Sequence, residues 1–261
     1  MSENYLEVLR PKLSESDYQK LSEITNAKVY QFIAEADRLC NPKEIFICSD
    51  TAEEFKFIRE IAISKGEEKP LAIKGHTYHF DGLYDQGRDR EVTKFLVPKT
   101  DTLSPSLNQI ERKVGLKEIK GLLKDTMKNR TMIVRFLTLG SAGSVFTILC
   151  MEATDSWYVA HSVDLLYRPG YQEFIKAKKT VDFFATLHSA GRLDENMVSV
   201  DYKKKRIYID YTDNTVYSVN TQYAGNSVGF KKLALRLAIR KAHQEDWLAE
   251  HFMIIGASGP H

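Results

Sequence analysis

The chain has 261 residues, of which 43% are hydrophobic and 28% are charged, so it is long enough for one large domain or two small ones. A net charge of +2 provides no strong basic field, and nucleic acid is therefore not expected as a partner. The N-terminus has no apolar signal core and no apolar run approaches the roughly 20 residues of a membrane helix, so we expect a cytoplasmic protein with no membrane partner.

Residues 1 to 40 have apolar positions at helical spacing, and we interpret them as a helical leader interrupted at Pro11. Ser14 and Ser16 are candidate N-caps of the second helix, because a serine side chain accepts hydrogen bonds from the first free backbone N–H groups.

The apolar run at 44–50 predicts a buried strand, and Asp50 and Thr51 then open an amphipathic helix. This strand–turn–helix order favours an α/β domain. The cysteines are odd in number and far apart, so neither a disulfide framework nor a zinc site is expected, and we interpret all three as reduced core thiols: Cys40, Cys48 and Cys150.

The middle of the chain alternates strand and loop signals. A strand is predicted at 93–97, and the Pro/Ser/Thr-rich residues 99–108 predict a surface loop. Two further apolar runs, 131–139 and 145–153, are separated by the turn-forming sequence at 140–144, which predicts two adjacent strands.

Residues 170–187 are predicted to form a helix, because their apolar positions could share one face. Asp213 and Asn214 predict the turn of a β-hairpin over 205–220. The last part, 230–256, predicts a strong helix followed by an apolar strand.

The loop before that last helix is the most informative segment. Asn226 and Ser227 can cap the helix, so backbone amides of this loop would face an anion, and Tyr223 lies just ahead of them. Lys231 and Lys232 fall in the first helical turn, where cations oppose the helix macrodipole and call for a compensating carboxylate, phosphate or metal site. A solvated lysine pair is the alternative interpretation.

Two other residues are candidates with equally simple alternatives. His251 lies between the predicted helix and strand, where a histidine can be a metal ligand or a packing residue. Arg88 lies in a polar turn and can be a substrate ligand or a surface arginine. The basic segment 110–130 allows a further interpretation, an interaction surface, although such a charge run is usually a solvated face.

These signals occur in the order of one family's motifs. The sequences TQYAGNSVGFKK and EDWLAEHFMIIG resemble the signature of phosphoenolpyruvate carboxykinases of the GTP-using type, in which a Tyr-Gly-Gly-Asn-Ser loop precedes a Lys-Lys pair, an Ala-Leu-Arg helix and a Trp-Leu-Ala-Glu-His segment. Similar segments also occur in the expected order at 129–136, 153–163 and 187–193, and a weaker one is GRDREVTKFLV.

The resemblance implies an α/β fold, a mixed β-sheet flanked by helices, as the family's N-terminal, substrate-binding domain over 1–261. It implies the conversion of oxaloacetate and GTP to phosphoenolpyruvate, carbon dioxide and GDP, with Mn²⁺ at the protein site and Mg²⁺ on the nucleotide. The family's phosphate-binding loop, acidic metal ligand and nucleotide pocket would lie beyond His261, so we expect the isolated chain to be inactive.

The resemblance assigns substrate contacts to four residues. Arg88 matches the arginine that binds the substrate carboxylate, with Arg90 as the alternative if the register is shifted by two. Tyr223 matches a catalytic tyrosine whose positive ring edge faces the carboxylate or the departing carbon dioxide. Ala224 and Gly225 would contribute backbone contacts.

The resemblance assigns metal ligation to Lys232 and His251. A lysine ligand must be neutral, so its ordinary pKa of ~10.4 has to be lowered, and burial, the metal and the neighbouring Lys231 act in that direction. Lys232 is thus implied to be catalytic as well as a ligand.

Ala224 departs from the family pattern, because it stands where a glycine is usual and matches the Tyr-Ala-Gly of ATP-using relatives. The departure points to an archaeal-like or divergent branch. ATP and pyrophosphate therefore remain open as phosphoryl donors, and a non-catalytic dicarboxylate-binding module remains the alternative function.

Overall fold

A computed structural model of the chain describes residues 4–85, 91–145 and 147–222, together with Ile239, Ala242 and 245–248. The described helices are α1 (Tyr5–Leu9), α2 (Glu15–Glu23), α3 (Ala27–Cys40), α4 (Ala52–Ser64), α5 (Arg112–Leu123), α6 (Trp157–Leu166) and α7 (Tyr171–Lys176). The described strands are β1 (Glu44–Ile47), β2 (Lys69–Pro70), β3 (Thr77–Tyr78), β4 (Thr93–Val97), β5 (Gln109–Glu111), β6 (Thr131–Leu139), β7 (Ile148–Thr154), β8 (Arg168–Pro169), β9 (Phe184–Ser189), β10 (Arg206–Asp210) and β11 (Thr215–Val219).

One mixed sheet organises the described residues. Its strand order is β1-β6-β7-β9-β11-β10-β4-β5, with the short β8 paired to β6, while β2 and β3 form a separate hairpin. The pairs β6–β7 and β10–β11 are antiparallel, whereas β1–β6, β7–β9, β9–β11, β10–β4 and β4–β5 are parallel. The predicted α/β fold with a mixed sheet flanked by helices is therefore confirmed.

The sheet is covered on both faces, as the sequence of β6 illustrates. Met132, Val134 and Phe136 pack with α1, α2, α3 and α5 on one face, while Ile133 packs with α4 and α6 on the other. The basic segment at 110–130 contains α5, whose Ile119 and Leu123 belong to the core. Among the described helices, none combines the length and apolarity needed to cross a membrane.

The N-terminal prediction is correct in its main features and misses one helix boundary. Ser14 caps α2 by accepting a hydrogen bond from the backbone N–H of Asp17 at 3.1 Å, whereas Ser16 lies inside the helix. A second break separates α2 from α3. There the buried Asn26 caps α3 and donates a hydrogen bond to the carbonyl of Val181 at 2.8 Å.

The predicted helix at 170–187 is wrong. The chain forms α7 only as far as Lys176 and then enters β9, which lies between β7 and β11 and is buried at every position. Pairing with β7 and β11 satisfies the backbone of β9, and packing of other residues against both faces of the sheet buries its side chains. This tertiary environment overrides the helical spacing. The predicted hairpin at 205–220 is confirmed, with Asn214 at a φ of +50° in the turn between β10 and β11.

Candidate functional site

Three parallel strands, β7, β9 and β11, end at the same edge of the sheet, which we call the strand-end edge. The antiparallel strands β6 and β10 begin there, so Arg130 and Lys205, which immediately precede them, lie at this edge too. In open α/β sheets, ligands bind at the carboxyl ends of the strands. A ligand site is therefore expected at the strand-end edge.

A buried carboxylate joins the ends of β7 and β9. Asp155, whose side chain is fully buried, accepts hydrogen bonds from the hydroxyl of Ser189 at 2.8 Å and the backbone N–H of Ala190 at 2.8 Å. Arg130 donates a third bond at 2.9 Å and balances the charge. These contacts fix the loops after β7 and β9 relative to each other.

A buried histidine connects the same region to the end of β11. The Nε2 atom of His188 lies 2.7 Å from the carbonyl oxygen of Thr221, and its Nδ1 atom lies 2.6 Å from the hydroxyl of Thr154. A carbonyl only accepts, so the proton is assigned to Nε2, and Nδ1 accepts from the threonine. Burial lowers the pKa of His188, although the charge of Asp155 acts in the opposite direction. The neutral ring thus holds Thr221 against the sheet.

A second buried carboxylate, that of Asp85, joins two distant parts of the chain at the strand-end edge. One oxygen accepts a hydrogen bond from the hydroxyl of Thr221 at 2.6 Å, and the other accepts from the backbone N–H of Gln222 at 2.6 Å. The ammonium of Lys205 lies 3.6 Å from the carboxylate and donates to the carbonyl of Tyr84 at 3.0 Å. Asp85 and Gln222 are therefore in direct contact, although they are far apart in sequence.

The segment before Asp85 is attached to the start of α6. Glu67 accepts hydrogen bonds from the hydroxyl of Ser156 at 2.7 Å and the backbone N–H of Tyr158 at 2.9 Å, where the helix dipole favours an anion. Burial raises the pKa of Glu67, although these two bonds act to lower it. The ring of His79 stacks on Tyr158 at 3.7 Å between centroids. The approach to Asp85 is thus fixed against the sheet.

Three fully buried polar side chains on or just after β9 and β11 lack hydrogen-bond partners in the part of the chain that the structure describes: Thr186, Ser218 and Gln222. Thr186 is two residues before His188 on β9, and Ser218 lies opposite His188 in the β9–β11 register. Buried polar groups are normally paired, so this concentration distinguishes one face of the sheet near the strand-end edge. Sequence reasoning missed these residues and Asp85. The alternation of polar and apolar residues in β9 is a signal that could have indicated Thr186 and His188.

Comparison with known proteins identifies the family of this chain. Residues 31–243 match the model of the phosphoenolpyruvate carboxykinase N-terminal domain. The chain is 46% identical over 252 residues to a protein of Thermococcus sibiricus and 47% identical over 255 residues to one of Pyrococcus abyssi, both named phosphoenolpyruvate carboxykinase [GTP]. The chain belongs to the phosphoenolpyruvate carboxykinase family.

The matches cover 97% and 98% of this chain but only 40% and 41% of those two relatives, so the chain spans about 40% of their length. A relative from Anaeromyxobacter is 30% identical over 242 residues. The stronger similarity to the Thermococcus and Pyrococcus proteins agrees with the archaeal-like branch expected from Ala224. The resemblance also extends into the first 70 residues, where the motifs had provided little support.

The candidate site residues themselves lie outside the described residues: Arg88, Arg90, Tyr223, Ala224, Gly225, Lys232 and His251. The same holds for Asn226, Ser227, Lys231 and the helix and strand predicted after them, apart from Ile239, Ala242 and 245–248. The structure does describe the residues next to them, because Asp85 is three positions before Arg88 and Gln222 immediately precedes Tyr223.

Within the described residues, no group of three or more histidine, cysteine, aspartate or glutamate side chains is arranged to hold a metal ion. The predicted ligands Lys232 and His251 lie outside these residues.

Proposed function

We propose that the chain is the N-terminal, substrate-binding part of a phosphoenolpyruvate carboxykinase that converts oxaloacetate and GTP to phosphoenolpyruvate, carbon dioxide and GDP. Family membership and the names of the relatives support this proposal. The observation that connects the proposal to particular residues is the pair of hydrogen bonds that Asp85 accepts from Thr221 and Gln222.

Those hydrogen bonds bring together the starts of two segments that are 137 positions apart in sequence. Arg88 is separated from Asp85 by three peptide units, which span at most about 11 Å, and Tyr223 is bonded directly to Gln222. The covalent chain therefore limits the distance of both predicted substrate residues from the contact between Asp85 and Gln222. A common substrate for Arg88 and Tyr223 is compatible with that limit.

The proposed roles follow from the chemistry of the side chains. Arg88 binds a carboxylate of oxaloacetate through two parallel, charge-assisted hydrogen bonds, which a lysine cannot reproduce. Tyr223 presents its ring edge to the carboxylate that departs as carbon dioxide. Ala224 and Gly225 contribute backbone groups, with glycine permitting close approach.

Lys232 and His251 are the proposed protein ligands of a divalent metal, Mn²⁺ by family resemblance. When bound, the metal supplies positive charge for an enolate and for the phosphoryl oxygens. Lys232 has to be neutral to act as a ligand, and the positive charge of Lys231 beside it favours loss of that proton. Mg²⁺ would accompany the nucleotide.

The decisive experiment uses the protein extended to the full length of its relatives. It is mixed with oxaloacetate, Mn²⁺ and GTP, ATP or pyrophosphate in parallel, and phosphoenolpyruvate is measured. We expect turnover with GTP. Arg88→Lys should lower kcat/KM by roughly 10- to 100-fold, the value of a lost charge-assisted hydrogen-bond pair. Arg10→Lys, a surface control at an arginine paired with Glu15, should not change it.

No turnover with any donor would refute the proposed function, and oxaloacetate binding without turnover would favour the dicarboxylate-binding module. Turnover with ATP or pyrophosphate alone would refute the choice of GTP. The 261-residue chain by itself is expected to bind oxaloacetate without converting it. We also propose a cytoplasmic location, supported by the three free, buried cysteines.

A further inference from the structure

We propose that Asp85 is a positioning residue of the substrate site, which fixes the segment leading to Arg88 against the segment leading to Tyr223. The inference rests on the proposed function, since it concerns the substrate residues assigned there. Asp85 itself need not touch the substrate. Its carboxylate would set the separation of two groups that do.

The geometry of the carboxylate supports this role. Each oxygen of Asp85 has its own partner at 2.6 Å, the hydroxyl of Thr221 for one and the backbone N–H of Gln222 for the other. Asp85 is 2% exposed, and both partners are fully buried. Two short bonds to consecutive residues leave the joined segments little freedom to slide, because moving either one breaks a charge-assisted bond away from water.

The charge of Asp85 has a buried counterion. Lys205 is 3% exposed, lies 3.6 Å from the carboxylate and also donates to the carbonyl of Tyr84, the residue before Asp85. Buried ion pairs contribute little to stability relative to apolar packing, because removing both charges from water is costly. The pair of Asp85 and Lys205 is better explained by its effect on the backbone, because it fixes the arrangement of the segments around it.

The sheet provides the rigid reference for the contact. Thr221 accepts a hydrogen bond from His188 of β9, and His188 in turn accepts one from Thr154 of β7. A continuous series of buried hydrogen bonds therefore runs from two central strands through Thr221 to Asp85. Loss of Asp85 would release the segment that contains residue 85, whereas Thr221 would stay attached to the sheet through His188.

Asp210 offers a matched control at the other end of β10. Its side chain is also fully buried, it accepts a backbone N–H from Thr212 at 3.1 Å, and it is paired with Arg112 at 2.9 Å. Lys205, the partner of Asp85, immediately precedes β10 and Asp210 is its last residue, so these two positions lie roughly 15 Å apart along the strand. Replacing Asp210 thus removes a similar buried carboxylate without touching the segments of the proposed site.

The experiment compares Asp85→Ala, Asp85→Asn and Asp210→Ala in the full-length enzyme, with KM for oxaloacetate and kcat measured separately. We expect Asp85→Ala to raise KM by on the order of tenfold, the value of lost charge-assisted hydrogen bonds. Asp85→Asn should recover most of this loss, because its amide oxygen can accept from Gln222 and its NH₂ group can donate to the oxygen of Thr221. Asp210→Ala should lower stability in urea, because it leaves the charge of Arg112 without its buried partner, while KM should stay within about twofold.

A folded Asp85→Ala enzyme with the wild-type KM would overturn the inference, as would an equal rise in KM for Asp210→Ala. If Asp85→Ala does not fold, Thr221→Val removes one of the two bonds, and an unchanged KM in that variant would overturn it instead. We expect a smaller rise there than in Asp85→Ala, roughly threefold, because the charge-assisted bond from the backbone N–H of Gln222 to Asp85 remains.

Hydrogen exchange at the Gln222 amide separates this inference from the proposed function. If the wild-type enzyme shows no carboxykinase activity, the proposed function fails, but the amide should still exchange at least about tenfold faster in Asp85→Ala than in Asp210→Ala. Equal exchange in the two variants would overturn the positioning role whatever the activity.

Discussion

Asp50, just before α4, should make the protein less stable as the pH rises, and replacement by asparagine should remove this loss. Asp50 has a φ of +66°, and its carboxylate accepts the backbone N–H of Tyr171 at 2.7 Å and lies 3.7 Å from the guanidinium of Arg135. Burial raises the pKa of Asp50 to about 6, although Tyr171 and Arg135 both act to lower it. Asparagine tolerates the positive φ and can still accept from Tyr171.

The magnitude follows from the pKa. A rise from 3.8 to about 6 corresponds to roughly 3 kcal/mol, at ~1.4 kcal/mol per pKa unit. Between pH 4 and pH 6 the folded chain retains a proton that the unfolded chain has released, so the free energy of unfolding falls as the pH rises. Asp50→Asn has no such proton, and its stability relative to wild type should increase by up to about 3 kcal/mol from pH 4 to pH 7.

Urea unfolding of both proteins at half-unit pH steps tests this difference. Asp201→Asn is the control of opposite sign, because hydrogen bonds from Arg192 lower the pKa of Asp201, and the wild type should gain stability over that variant as the pH rises. A difference between Asp50→Asn and wild type that stays flat would refute the reasoning. A difference that falls with pH would mean that the ion pair with Arg135 outweighs burial.

Three further predictions concern single positions, each measured by urea unfolding. The lowered pKa of His188 means that the wild type should lose stability as the pH falls below ~6.5, and His188→Gln should lack this part of the slope. Ser14→Ala should cost about 1 kcal/mol through the lost cap of α2, whereas Ser16→Ala should cost much less. Gly170→Ala should lower the free energy of unfolding by about 2 kcal/mol or more, because the new Cβ would lie 2.5 Å from the backbone of β6. Gly121→Ala in α5 places its Cβ within 4 Å of no other atom in the described part of the chain, so it should raise the free energy of unfolding by ~0.5–1 kcal/mol.

Local signals predict the elements that depend on neighbouring residues. The strand at 93–97, the hairpin over 205–220 and the cap at Ser14 need only short-range patterns, and the structure has all three. The family motifs likewise predict membership, because they consist of short runs with fixed order.

Elements that depend on tertiary pairing could not be predicted in this way. The apolar positions of 170–187 fit one helix face, and pairing of 184–189 with β7 and β11 makes this part a strand instead. The break at Asn26 is of the same kind, because its side chain amide is satisfied by Val181, 155 positions away. A single sequence contains no trace of either partner.

The candidate site shows the same division between local and distant information. Arg88 and Tyr223 could be selected from their own motifs, and the proposal that they share one site draws its structural support from Asp85. This aspartate lies in a polar stretch and meets Thr221 and Gln222 only in the folded chain. A buried carboxylate with no local partner needs a distant donor, so an aspartate that the fold buries next to a motif is itself a reason to search for the segment that pairs with it.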